Sequence, residues 1–466
     1  MMKLSFLPLA ALGMTWTVTM AAAATPQNLH DELYRPQFHF TAAKGWLNDP
    51  NGLVYYKNEY HLFFQHNEGG KTWGHAISRD MLHWNQLEHA IRPDKLGSAF
   101  SGSAVIDWNN TAGFQTGEEK AIVCLYTSAS WGAGVTYVQS IAYSNDRGRT
   151  WKKYDRNPVL KGLTVENRDP KLIWHEPTQQ WIMALVLTDN RYALFASPNL
   201  KEWRKLSDVP MPGTTDCPDF FELPVDGNPK TAKWVFWGGN NNYMLGAFDG
   251  VSFKKETGPL PSHFGKNRYA AHTFSDIPAT DGRRIQIAWM EGGKYPGMPF
   301  DQQMSFPVTL TLRTFPEGVR LCTKPVKELD SLHGKQRVWS GTLKPGENPL
   351  AGVTGELFDV HLDIEPGKAA EIALIVRGTP IRYDVGAKQL SCLGTSAPVD
   401  LRNGRLALQV LVDRSSIEIF TADGRVNMAY CFLPPADDKS LSLLVQHGEA
   451  TMRSLNVWEL ESIWPR

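Results

Sequence analysis

The chain has 466 residues, enough for two or three ordinary domains, and its 48 basic and 48 acidic side chains leave it with no net charge. That balance, with no long run of either sign, excludes a nucleic-acid-binding face built on basic patches. Aromatic residues reach 11%, with 16 Trp; they suit β-structure and also sugar-stacking surfaces.

Residues 1–24 read as an export signal. "MMK" supplies positive charge, "LSFLPLAALGM" an apolar run, and "MAAAATPQ" small residues for cleavage near Ala24. No later stretch approaches 18 consecutive apolar residues, so the expectation is a secreted or periplasmic chain with no membrane insertion after signal cleavage. Export permits disulfides. Five cysteines (Cys124, Cys217, Cys322, Cys392 and Cys431) are odd in number and widely spaced. They form no framework and no zinc pattern, so mostly buried free thiols are expected, with at most one or two bridges.

The first motif is "KGWLNDPNGL", Lys44–Leu53. Asn48, Asp49 and Asn51 around Pro50 and Gly52 are turn chemistry, here placed at the mouth of a strand. Across 30–322 one signature recurs: a small or polar strand end, an Asn or Asp, then an aromatic. It appears as "AISRDMLHW" ending at Trp84, "AYSNDRGRTW" at Trp151, "FASPNLKEW" at Trp203 and, more weakly, "GAFDGVSF" at Phe253. The intervals of 67, 52 and 50 residues fit four-stranded propeller blades. "RYAAHTFSD" and "RIQIAWM" add a fifth unit. "KPVKELDSLHGKQ" then reads as a short helix or linker, assigned to 323–340. Alternating strand patterns follow, with a hairpin signal at Asp423-Gly424. The expected fold is all-β: a five-bladed β-propeller over 30–322, then a C-terminal β-sandwich over 341–466.

A propeller binds ligands at its central channel, where the innermost strand of each blade begins. Five stretches fall there: "WLNDPNGL", "AFSGSAVI", "ENRDPKLIW", "TTDCPDFFEL" and "NRYAAHTF". Three carry a carboxylate at nearly the same offset: Asp49, Asp169 and Asp216. Converging carboxylates repel, so they need a reason. A calcium or magnesium site prefers oxygens close in sequence, whereas these span roughly 170 residues. Glycoside cleavage uses one carboxylate as nucleophile and another as acid/base. Arg168 is placed to hold a neighbouring carboxylate ionised, and Trp46, Trp73 and Phe100 to wall a sugar face.

With those residues in view, the chain resembles glycoside hydrolase family 32, the fructan-hydrolase and invertase family. "WLNDPNG", "HLFFQHN", "WGHAIS", "FSGSA" and "RDP" match its motifs in order. "MPFDQQMSFPVTLTLR" and "LVDRSSIEIF" resemble its late-propeller and sandwich segments. The resemblance implies the same propeller and sandwich, and retaining hydrolysis of terminal β-fructofuranosyl residues from levan, inulin or sucrose. No cofactor and no metal are needed. It places the nucleophile on Asp49 and a transition-state stabiliser on Asp169, oriented by Arg168. Sugar contacts fall on Asn48, Gln65, Trp73, Phe100 and Ser101.

The acid/base position departs from the family pattern. Asp216 in "DCPD" stands where the family has Glu, and its carboxyl is set back by about 1.5 Å. Glu222, six residues on, is too far to share the job, and Asp219 should face away. Cys217 reads as a buried structural thiol, because no His partner stands at a telling spacing and neighbouring strand residues face opposite ways, and His75 and His272 read as scaffold or rim residues. The alternative is a fructan-binding protein whose turnover is weak or lost at Asp216. The partner in either case is a fructose-containing oligo- or polysaccharide.

Overall fold

The computed structural model describes residues 30–464 except 68, 131–135 and 189. The expected signal segment lies outside them. Among the described residues all five cysteines are free thiols.

Five antiparallel blades follow one another. Blade I is Gly45–Tyr56, Glu59–Asn67, Lys71–Ser78 and Asn85–Ile91; blade II is Ser98–Ile106, Ile122–Ser130, Thr136–Ser144 and the short Lys152–Lys153. Blade III is Arg168–His175, Gln180–Thr188, Arg191–Ser197 and Arg204–Pro210; blade IV is Asp219–Val225, Asn228–Trp237, Asn242–Phe248 and Phe253–Pro261. Blade V is Tyr269–Thr273, Arg284–Trp289, Val308–Phe315 and Gly318–Pro325. The first strand of each blade packs on that of the next, and blade V returns to blade I, so the circle closes. Phe300–Asp301 seals it by pairing in parallel with Gly45–Trp46. Closure leaves only short inner edges, protected inside the channel. It also covers both faces of the middle strands: "WIMALVL" of blade III is buried throughout, between clusters shared with blades II and IV.

The recurring signature is the turn between the third and fourth strands. In blade I, Leu82 N and His83 N donate to Asp80 Oδ1, and the Trp84 indole N–H closes the turn on Met81 O at 2.9 Å. Asp146 with Trp151 and Asn199 with Trp203 repeat this in blades II and III. In blade IV, Asp249 still accepts from Val251 N and Ser252 N, but the Phe253 side chain has no N–H to close the turn. The weaker copy is therefore weaker chemistry at the same place.

The last blade runs to Pro325, a 3-10 turn covers Lys327–Leu332, and the sandwich begins at His333, inside the expected linker. His333–Leu343 is an edge strand with one exposed face, so it lacks the apolar alternation that marks a strand in sequence. Six- and five-stranded sheets enclose the sandwich core.

"LVDRSSIEIF" acts at the seam with the propeller. His39 is buried between Asp413 Oδ2 and Glu418 Oε2, each 2.8 Å from a ring nitrogen. Asp413 also accepts from Gln37 N and Phe38 N, and Glu418 from Phe306 N. Burial alone would lower the His39 pKa, but the two carboxylates outweigh it and raise it to about 9.

Candidate active site

"NDPNG" is not a turn. It lies within the long strand Gly45–Tyr56, whose pairing with Glu59–Asn67 slips twice, between Leu47 and Pro50 and between Asn51 and Val54. Such bulges bend a strand and re-aim a side chain. Gly52 has φ +52°, and a Cβ there would meet Phe63 Cδ2 at 2.6 Å. The Asn, Pro and Gly residues therefore build a bulged strand that presents Asp49 at the channel mouth.

Asp49 Oδ2 accepts the Ser101 hydroxyl at 2.6 Å, and Oδ1 the Asn48 amide at 2.9 Å. Asp169, 4% exposed, opens the inner strand of blade III, with its N–H on Thr127 Oγ1. Asp216 lies just before the inner strand of blade IV. Its Oδ1 takes both Nε (2.8 Å) and Nη2 of Arg168, and its Oδ2 takes the Tyr269 hydroxyl at 2.6 Å. Arg168 therefore orients Asp216 rather than Asp169, whose nearer oxygen is 3.8 Å from Nε. Asp169 (φ 59°), Asp216 (φ 56°) and Cys217 (φ 35°) all lie in the left-handed region. For non-glycine residues this is strain, of a kind that concentrates at functional sites.

That backbone defeats the argument from strand alternation. Cys217 faces the site beside Asp216: its Sγ is 3.5 Å from Asp49 Oδ2 and 3.6 Å from Asp169 Oδ2, and its N–H donates to the same Asp169 oxygen. Burial, then the three carboxylates, push the thiol well above its ordinary pKa. It is a protonated donor linking two acids, not a nucleophile. Asp219 points elsewhere, as expected: it bonds Lys171 and Thr273 N deeper in the channel, joining blades III, IV and V.

A buried carboxylate beside two others does not ionise at low cost. Burial, then the Asp216 charge, raise Asp169 to about 7, with Asp49 adding and Arg168 and Cys217 N opposing. Two buried oxygens here have no protein partner: Asn48 Oδ1 and Gln65 Oε1. Gln65 is anchored through its amide to Ala99 O. Phe100 stands at the wall, with the Lys71 ammonium 5.3 Å from its ring and 5.2 Å from that of Trp46.

Trp73 departs from expectation. It is 0% exposed, packs on Phe63 and Tyr126, and its indole donates to Phe100 O. No ring face is left for sugar, so it supports Phe100 from behind. His75 is scaffold, stacked on Phe63, and His272 is buried in the channel.

The sequence reading missed Tyr269, Trp289 and Glu291. Tyr269 heads "YAAHTF", a stretch already inspected, but only carboxylates were counted there. Trp289 stands edge-on to Trp46 and Tyr269. Glu291 follows on an exposed rim; burial, then Asp49 and Asp216, raise its pKa. Gln302 of "FDQQ" fixes this rim by accepting from Trp289 Nε1 and Gly292 N and donating to Gly293 O.

The geometry is that of clustered acids at a propeller mouth, and comparison with known families places the chain. The family description "Glycosyl hydrolases family 32 N-terminal domain" matches residues 39–325, and the family 32 C-terminal description matches 328–459. The chain belongs to glycosyl hydrolase family 32. It is a glycoside hydrolase of the β-fructofuranosidase type. A levanase of Bacillus subtilis (strain 168) is 40% identical, the match covering 96% of this chain and 73% of the levanase. An extracellular exo-inulinase of Aspergillus awamori is 30% identical, over 98% of this chain and 100% of the relative. The crystal structure of the Aspergillus awamori exo-inulinase superposes with a TM-score of 0.84 at 29% identity, covering 93% of this chain and 100% of that one. A β-fructofuranosidase from Schwanniomyces occidentalis complexed with fructosyl-erythritol gives 0.80 at 26%, over 93% and 99%.

Proposed function

We propose that this family 32 chain is an exported, exo-acting fructan hydrolase that removes terminal β-fructofuranosyl units by a retaining double displacement. The observation that carries this is the coupling of Asp49 to Asp169 through Cys217, with Asp216 held alongside by Arg168 and Tyr269. Asp49 attacks the anomeric C2 while Asp216 gives a proton to the departing oxygen. Asp216 then takes a proton from water, which releases fructose from Asp49. Asp169 grips ring hydroxyls as charge develops. A buried acceptor left unpaired costs about 1–3 kcal/mol. Asn48 Oδ1 and Gln65 Oε1 are thus waiting for water or sugar hydroxyls. Phe100, backed by Trp73, supplies the apolar wall.

The exo reading is supported by the relatives, named levanase and exo-inulinase, and export by the N-terminal residues and the relatives named extracellular. The test is to incubate the mature chain with sucrose, inulin and levan and resolve early products by chromatography. Fructose alone is expected. A ladder of oligosaccharides would replace exo with endo cleavage. Binding without product would favour a fructan-binding protein stalled at Asp216, both of whose oxygens are already tied back.

A further inference from the structure

The inner strands that start at the active site end in a different place. Five residues separate Asp169 from Trp174 on one strand, about 16 Å at 3.3 Å per residue. Between them the buried Lys171–Asp219–Thr273 cluster crosses the channel, so what lies beyond is separate from the catalytic mouth.

Two adjoining cavities open at this far end, of about 260 and 340 Å³. Both are lined by Ile173, Trp174 and Arg284. Trp108, 50% exposed, stands at the rim of the first, its indole N–H on Asp276 Oδ1 at 2.8 Å. Trp174 is held by Glu176 Oε2 at 2.7 Å and packs edge-on against Trp181. Arg284 lies over the Phe221 ring at 5.0 Å, with one long bond, 3.4 Å, to Phe274 O. Among the described residues it closes no ion pair, although Asp276 lines the same cavity. The two are near enough for each to shift the other's pKa: burial raises Asp276 to about 6 and Arg284 opposes this. A guanidinium with spare N–H groups thus lines the same cavity as a carboxylate whose oxygens each already accept one bond, Oδ1 from Trp108 and Oδ2 from Ile106 N at 3.0 Å, and each keep a second lone pair.

We propose that this far mouth is a second carbohydrate site that takes a neutral, polyhydroxylated sugar segment. Arg284 donates to its hydroxyl oxygens, Asp276 accepts from its hydroxyls, and the Trp108 and Trp174 rings cover its C–H faces. Charge selects this class. Asp276, Glu176 and Glu222 together outweigh Arg284 and Lys171 around the cavities, which disfavours an anion, while Arg284 at the centre disfavours a cation. A fructan is the first ligand to try, and in that choice the inference rests on the proposed function. Holding polymer here would keep chain ends near the catalytic mouth of the same molecule.

The test uses full-length chain carrying Asp49→Asn, so that no substrate is consumed, and titrates a fructo-oligosaccharide by calorimetry. Two classes of site are expected, with one lost in Trp108→Ala and in Arg284→Lys, each checked for an unchanged melting temperature. With Asp49 restored, both variants should raise KM for levan or inulin about three- to tenfold and leave kcat and sucrose kinetics unchanged. A single class of site in Asp49→Asn, equal to that in the double variants, would overturn the proposal. So would inorganic phosphate binding there in place of sugar. Failure of the active-site reading shows separately, as absence of fructose release by the unmodified chain.

Discussion

Carboxylates are buried in two regions of this molecule, with opposite results. At the seam between the domains, Asp413 and Glu418 enclose His39, and backbone N–H groups fill further lone pairs. At the propeller mouth, Asp49, Asp169 and Asp216 cluster around Cys217 with Arg168 hydrogen-bonded to Asp216 alone of the three, three residues there have left-handed backbone, and two neighbouring acceptors lack partners. The seam is satisfied and holds the domains together. The mouth keeps two acceptors without protein partners, which is what the proposed role of binding hydroxyls and moving a proton requires.

The contrast can be broken at several points. Asp49→Asn should lower kcat by about 10⁴-fold or more with little change in melting temperature. A variant that unfolds instead would make Asp49 a structural group. Asp216→Asn should lower kcat about 10²- to 10⁴-fold, whereas Asp216→Glu, which restores the missing methylene, should raise it at least about tenfold. Unchanged rates and pH profile in both would place the acid elsewhere, with Glu291 the first residue to examine. At the seam the effect should fall on stability alone: His39→Gln leaves two buried carboxylates facing a neutral amide, at a cost of about 3–5 kcal/mol. Denaturant unfolding of that variant measures it, and fructose release by the folded fraction should be unaltered.

The smallest effect sharpens the comparison by pH. His39 is raised in the fold, so its contribution is complete below about 6.5 and is lost as pH rises through 9. Asp169 is also raised, so the fold weakens from about pH 4 upward until Asp169 has ionised near 7. Asp169→Asn removes that cost. It should be more stable than the parent above pH 7, by at most about 4 kcal/mol, and no more stable at pH 4, while being nearly inactive. Melting curves across pH check both windows.

Much of this was legible in the sequence because it is local chemistry. The blade turns announce themselves as an Asx residue followed by a Trp that closes on the backbone. The three aspartates stand out by their shared offset at blade starts. What was not legible depends on backbone departures that composition does not encode. "NDPNG" serves a turn or a bulged strand equally well, and only the pairing with Glu59–Asn67 decides. Left-handed φ at Asp216 and Cys217 turned both side chains into the site, against strand alternation. Trp73 looked like a sugar platform because an aromatic in a motif strand does not say which neighbour covers it. His333–Leu343 was missed because an exposed edge strand carries no apolar pattern.

The measurement that tests the central claim most directly is to trap the intermediate. Asp216→Asn, given a fructoside with a leaving group that needs no proton, should accumulate covalent enzyme, because the second step lacks its base. Acid quench, proteolysis and mass spectrometry should find one added fructosyl residue on the peptide bearing Asp49. An adduct on another carboxylate, or turnover with no adduct and inverted product, would contradict the account.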